Sequence, residues 1–418
     1  MTARPPCGTD VAIVGAGAAG LMTAVWAARR CGGRTVVALD GASHLGAKIL
    51  VAGGGRCNVT NANVRPEDYC GGSRRVVGRV LAAWPSAQTV AFFQEVGVPL
   101  HVEEGGKLFP DTHRARTVLD ALLCAARESG AQLVTGCRVT DLERTPDGFV
   151  LATDGGPVRA RKVVLATGGL SLPRSGSDGT GYRLAQALGH TLIPPTPALV
   201  PLILHGEFHR PLAGIAHSVE ITVRVAGDRP VKLGGSLLWT HFGVSGPVVL
   251  DASRHWLRAR LAGRAAAMTA NLLPGEHFET AEAGWLARST SQPRQSVLGA
   301  LAERLPTRLA EAVLAELKID ARMPLAHVSR AVRRRLLNAL LAWPLPVRDS
   351  RGYNYAEVTA GGIALEEIDP ATMQSRLCPG LFLVGEILDV DGRIGGFNFQ
   401  WAWSSGYVAA TGLAAAMS

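Results

Sequence analysis

Val11-Ala12-Ile13-Val14-Gly15-Ala16-Gly17-Ala18-Ala19-Gly20 is the stretch whose reading decides the fold. An apolar run of strand length meets a glycine turn, and a helical pattern follows as far as Arg29-Arg30. Each glycine has a physical task. Gly15 permits the tight turn, Gly17 lets backbone N–H groups approach a pyrophosphate, and Gly20 lets the helix pack closely on the strand. Ala16, Ala18 and Ala19 complete the turn and open the helix, whose N-terminus presents its positive end to phosphate. A second apolar strand ends at Asp40, about 20 residues past Gly20, where a carboxylate can hydrogen-bond a ribose hydroxyl. Glycine-rich sequence follows: Gly46-Ala47-Lys48-Ile49-Leu50, then Gly53-Gly54-Gly55-Arg56-Cys57-Asn58.

The rest of the composition is that of a globular protein. The chain has 418 residues, 47% hydrophobic and 18% charged, enough for roughly two or three domains. Val11–Ala28 is an uncharged window as long as a short membrane span, but its glycine turn reads better as strand–turn–helix, and no span is expected. Residues 1–9 carry no signal-peptide layout, so the expected location is cytoplasmic. Seven scattered cysteines form no CxxC pair and no His/Cys group at metal spacing, so neither a metal nor a disulfide framework is expected. The net charge of +9 comes mainly from arginine, a usage that follows genome composition more readily than nucleic-acid binding. The dense run Arg330–Arg335 precedes Leu336, Leu337, Leu340 and Leu341, which predicts an amphipathic helix with a solvated basic face.

Along the chain, 76–97 and 117–130 read as helices closed by Gly97 and Gly130. Short strands at 132–135, 138–144 (with Val139 at its start), 148–153 and 156–160 form a meander. It leads to a strand at 162–166 that ends in Thr167-Gly168-Gly169. A loop through Asp178 and a helix closed by Gly189 come next. Strands are predicted at 198–204, 219–226, 231–240 and 247–252, among prolines that suit sheet edges or a small barrel. Helical periodicity fills 278–343, with Leu309, Val313, Leu314 and Leu317 in one stripe. Strand signals return at 356–359 and 380–385, and a helix runs from about Trp401. The predicted class is α/β: a discontinuous Rossmann-like domain of 1–191 and 355–418. Its insertion is β-barrel-like at 192–277, helical at 278–343, and returns to the barrel at 344–354.

Ala166-Thr167-Gly168-Gly169 and Leu383-Val384-Gly385-Glu386, together with the first glycine turn, resemble the three nucleotide contacts of FAD oxidoreductases of the glutathione-reductase and succinate-dehydrogenase type. Glu386 stands where an Asp is usual, with Asp389 and Asp391 close by. Narrower motifs are Gly53–Asn61, Ser175–Gly179, Thr240–Pro247, Val358–Gly362, Gly385–Gly392 and Gly395–Ala402. Through these the chain resembles, over nearly its whole length, the BaiN-like, aminoacetone-oxidase-like family of NAD(P)/FAD-dependent oxidoreductases. Three departures stand out. Asp40 replaces a frequent Glu, Ala47 sits where Arg is common, and Arg393-Ile394 precede Gly395 where a smaller pair is common.

The resemblance implies FAD held by these motifs. Lys48, Gly54, Gly55, Arg56 and Asn58 would border the pyrophosphate and flavin, and Gly396, Phe397 and Asn398 the pyrimidine edge. There the N-terminus of the last helix would offset charge gathering on N1 and O2. Cys57 reads first as a small packing residue and second as a flavin-adjacent thiol. Trp403 and Tyr407 read as core, and Phe397 is open to a role as a flavin wall.

His241 is the catalytic candidate, because imidazole titrates near neutrality, with a structural role in its turn as the alternative; His113 is a second candidate. The expected activity is hydride exchange between flavin and a small organic substrate, with NAD(P)H or O2 as the other redox partner. NAD(P)H would bind transiently, since no second glycine fingerprint exists. A flavin-dependent RNA-modifying enzyme and a non-catalytic flavin redox sensor are the alternatives. Oligomeric state is not legible.

Overall fold

The computed structural model describes residues 5–417; the first part of the stretch read for a leader, and the terminal Ser418, lie outside them. The chain forms two compact units, one joining the segment up to Pro197 with that from Glu357, the other Ala198–Ala356.

In the first unit, buried β-branched runs give parallel strands, as expected where both faces are covered. Gly8–Val14 is central, with Val36–Leu39 and then Gln132–Val134 on one side and Val158–Leu165 on the other, all parallel. The far edge of Val158–Leu165 is shared. Its first residues pair antiparallel with Gly148–Thr153 of the meander, and Val163–Leu165 pair parallel with Leu381–Leu383. The segments expected at 156–160 and 162–166 are therefore one strand. Helix Ala18–Arg30 packs against the final helix, Phe397–Met417, so closely that a Cβ on Gly406 would lie 2.8 Å from the Ala19 carbonyl. That helix begins four residues before Trp401. The helix expected over 76–97 is two, Arg74–Ala83 and Ser86–Glu95, because Pro85 cannot continue the first.

The second unit is a seven-stranded antiparallel sheet with helices. Its order begins at Trp343–Leu345, passes through Ala266–Asn271, Ala216–Val225, Val231–Thr240, Gly243–Ser245 and Leu202–Leu204, and ends at Val347–Ser350. The two edge strands are separated by Pro346 alone, which curls the sheet into a barrel-like form. The run expected as a strand at 247–252 is instead the start of helix Pro247–Leu261, with proline in its first turn. Val248, Val249 and Ala252 share a side with Trp256 and bury it in the core of this unit. Helices Phe278–Ser291, Val297–Ala302, Thr307–Glu316 and Arg330–Leu341 account for the helical periodicity. The basic run on the last of these is largely engaged. Arg333 pairs with Glu282, Arg334 lies over Phe278, and Arg335 donates to the Leu317 carbonyl. No helix among the described residues is long and apolar enough to cross a membrane.

Candidate functional site

The parallel strands bring their carboxyl ends together, and the sequence motifs follow those ends: Gly15 after Val14, Asp40 after Leu39, Ala166–Gly169 after Leu165, and Gly385 after Leu383. Ligands of open α/β sheets bind at such an edge.

The glycine turn is packed tightly where it must be and left open where a ligand could approach. A Cβ on Gly15, whose φ is 98°, would sit 2.5 Å from the Ala166 carbonyl oxygen; one on Gly20 would sit 1.9 Å from the Gly15 carbonyl oxygen. A Cβ on Gly17 would meet nothing within 4 Å, at the N-cap of Ala18–Arg30. Asp40 braces the turn. Its Oδ2 accepts the Ala16 N–H at 2.7 Å and its Oδ1 that of Ala42 at 2.8 Å.

Behind the strand ends lies a polar cluster the sequence did not suggest as a unit. Lys48 Nζ donates to Glu386 Oε2 and to Ser171 Oγ, both at 2.7 Å. Glu386 Oε1 accepts from Ser171 Oγ at 2.8 Å and from the Thr359 N–H at 3.1 Å. Gly169 makes room, since a Cβ there would lie 2.9 Å from Glu386 Oε1. Lys48 and Glu386, expected separately, thus partner each other. Replacing Glu386 with alanine should lower unfolding free energy by about 1–2 kcal/mol, because the pair is only about one-fifth exposed. Thermal melting of E386A, K48A and the double variant checks this; additive losses would show the pair to be uncoupled. Asp389 and Asp391 lie apart, buried beside Tyr69–Gly71.

Three successive glycines with left-handed backbone, Gly53, Gly54 and Gly55, expose their surroundings; a Cβ on Gly54 would meet nothing within 4 Å. Cys57 is fully buried, and burial pushes its thiol up to about 12, so it stays protonated at neutral pH and serves packing. Arg56 Nη1 bonds Glu103 at 2.7 Å and its guanidinium stacks 3.9 Å from the Phe109 ring centre.

This glycine loop is stapled to the start of the final helix. The Asn58 amide, oriented to satisfy both its ends, donates to Thr60 O and accepts the Gly396 N–H. Asn61 Nδ2 donates to Gly395 O at 3.0 Å, and Asn398 clamps Gly392 through both its N–H and C=O. Gln400 accepts from Thr60 and Thr89 hydroxyls and donates to Trp84 O and Ser404. Phe397 is 1% exposed, edge-on to Tyr69 and under Arg393, so its ring offers no open face. Trp403 is core, as expected.

On the adenosine side of the motif order, Val139 is buried at the start of its strand, and Asp178 pairs with Arg138 and accepts the Thr180 N–H. Burial works against ionisation there, but the Arg138 guanidinium wins and holds the carboxyl below its usual range. Thr167 Oγ1 is buried against Gly181 without a hydrogen-bond partner. His241 is exposed on a turn of the second unit. Linear spacing hid a further group. The hairpin Leu100–Val102 and Lys107–Pro110 brings His101, Glu103 and His113 together.

Residues 9–412 match the family described as HI0933-like protein Rossmann domain. The chain belongs to that family. It is 33% identical over 399 residues to a 3-dehydro-bile acid delta(4,6)-reductase of Clostridium scindens, covering 96% of this chain and 97% of that protein. It is 34% identical over 410 residues to a ribosomal RNA dihydrouridine synthase of Escherichia coli, covering 98% and 99%. Among solved structures, its fold resembles the FrdA chain of Escherichia coli quinol fumarate reductase (TM-score 0.52, 19% identity, 98% of this chain and 70% of that one). It also resembles a 3-ketosteroid delta1-dehydrogenase from Sterolibacterium denitrificans (TM-score 0.53, 14% identity, 98% and 100%). This member of the HI0933-like family is an FAD-dependent oxidoreductase, and the sensor reading gives way. The residues fit the cofactor: open glycines at Gly17 and Gly54, a helix N-terminus behind Gly17, and a carboxylate at the end of the second strand.

Proposed function

We propose that this enzyme reduces a carbon–carbon double bond conjugated to a carbonyl in a small organic substrate, with NAD(P)H as electron source. The observation that carries this reading is chemical. The names of both full-length relatives describe addition of hydrogen across such a bond, on a steroid acid in one case and on uridine in the other. Bound FAD supplies the hydride.

The chain's own residues would divide the remaining work. Gly15–Gly20 would cradle the pyrophosphate and Asp40 a ribose hydroxyl, with Val139, Thr167–Gly169 and Asp178 on the adenosine side. Gly385, Glu386 and Lys48 would line the ribityl side. Gly54, Gly55, Arg56 and Asn58 would border the ring system, and the Gly396–Asn398 amides would face its pyrimidine edge, where a helix N-terminus favours negative charge. In this role Phe397 contributes backbone, since its ring is covered. Asp389, buried with its carbonyl accepting the Gly72 N–H, would support the segment that leads to that edge.

A second reading, an RNA substrate, is favoured by the Escherichia coli relative and by the net charge of +9. It ranks lower because three arginines of the densest basic run already have protein partners. Anaerobic mixing with NADH or NADPH should bleach the flavin bands, and a 4-en-3-one steroid should restore them. Reoxidation by air alone, with no response to the enone, would overturn the proposal. Salt-sensitive binding to ribosomal RNA accompanied by dihydrouridine formation would select the second reading.

A further inference from the structure

We propose that His101, Glu103 and His113 form a binding site for a divalent transition-metal ion of zinc type. In the antiparallel hairpin His101 lies opposite Phe109, and Glu103 follows His101 by two residues, on the same side of the extended chain. After Pro110 the chain turns back, and His113, at φ 53°, sets its ring 4.7 Å from that of His101. One donor atom from each of the three lies within 4.8 Å of the others.

Two features argue for a metal over a chance surface cluster. The donor set is two imidazoles and one carboxylate, the composition zinc takes with three protein ligands and one water. Second, His101 is oriented from behind: Asp111 Oδ1 lies 3.0 Å from its Nδ1. With Asp111 held against Nδ1, Nε2 is the ring nitrogen that faces Glu103, whose Oε1 is 3.4 Å away and where a metal ion would take the place of the shared proton. Carboxylate–histidine–metal chains have this arrangement. Ligand atoms around tetrahedral zinc stand roughly 3.4 Å apart, so closure from within 4.8 Å needs a shift of up to about 1.4 Å, which the exposed His113 side chain can supply.

The site has a built-in competitor. Glu103 also bonds Arg56, whose guanidinium holds its carboxyl below the usual range. A metal ion would share or take that carboxylate, and so loosen the Arg56 side chain on the glycine loop.

The test uses the purified full-length flavoprotein, stripped with a chelator and equilibrated with Zn2+ at a few micromolar. One zinc per chain is expected by mass spectrometry, falling to background in His101→Ala and His113→Ala. His327→Ala, an exposed histidine elsewhere, should keep it. Asp111→Asn should weaken binding about 10–100-fold while leaving flavin content unchanged. A second measurement needs no variant: zinc should protect His101 and His113 of the wild-type chain from diethyl pyrocarbonate, mapped by peptide mass. Absence of stoichiometric zinc in the wild type, or zinc bound without protection of these two histidines, overturns the proposal.

Discussion

Gly20→Ala should destabilise the protein by at least about 3 kcal/mol and strip most of its flavin, because the added methyl would lie 1.9 Å from the Gly15 carbonyl oxygen. The obstructing atom is backbone, so no rotamer change relieves it; the turn must move off the helix. Gly17→Ala is the informative contrast. Its φ of −79° suits any residue and its Cβ would meet no protein atom, so the apoprotein should melt as the wild-type apoprotein does. Under the proposed pyrophosphate placement, that methyl instead intrudes on the ligand, and FAD affinity alone should fall. The ratio of flavin to protein absorbance, with thermal melts of both variants, separates the two effects. A Gly20→Ala protein with full flavin and an unchanged melt would refute the packing argument.

Gln400→Leu should cost roughly 3 kcal/mol in urea unfolding despite conserving volume. Its amide is fully buried, and its oxygen accepts from two hydroxyls, Thr60 at 2.6 Å and Thr89 at 2.9 Å. Leucine leaves both donors in apolar surroundings without an acceptor, and an unmet buried hydrogen bond costs about 1–3 kcal/mol each. Trp84 O keeps Ser404 as a partner, which bounds the loss. Replacing Thr60 by valine in the same background should recover part of the stability; no recovery would show that Gln400 acts through packing alone.

The nucleotide-binding half was legible because its motifs are local. Gly15 and Asp40 sit at strand ends that apolar runs mark directly, and Gly17 and Gly20 open the helix between them. Thr167–Gly169 and Gly385 end later strands of the same sheet for the same reason. What escaped depends on tertiary context. Val248-Val249-Leu250 is β-branched enough to suggest a strand, yet Pro247 starts a helix whose buried side extends to Trp256. Strand Ala266–Asn271 was missed because alanine and polar residues carry little strand signal. The partnership of Lys48 with Glu386 spans 338 positions, and the trio around His101 is assembled by a hairpin, so neither leaves a mark on linear spacing.

The seam between helix Ala18–Arg30 and helix Phe397–Met417 has a consequence for biosynthesis. A ribosome adding about 5–20 residues per second needs roughly 20–70 s to travel from Arg30 to Phe397. During that interval the nascent helix displays an apolar flank whose mate does not yet exist. Ala198–Ala356, contiguous in the chain, can mature meanwhile. Prosthetic-group loading therefore belongs to the end of translation, and the exposed flank is where a chaperone would be needed.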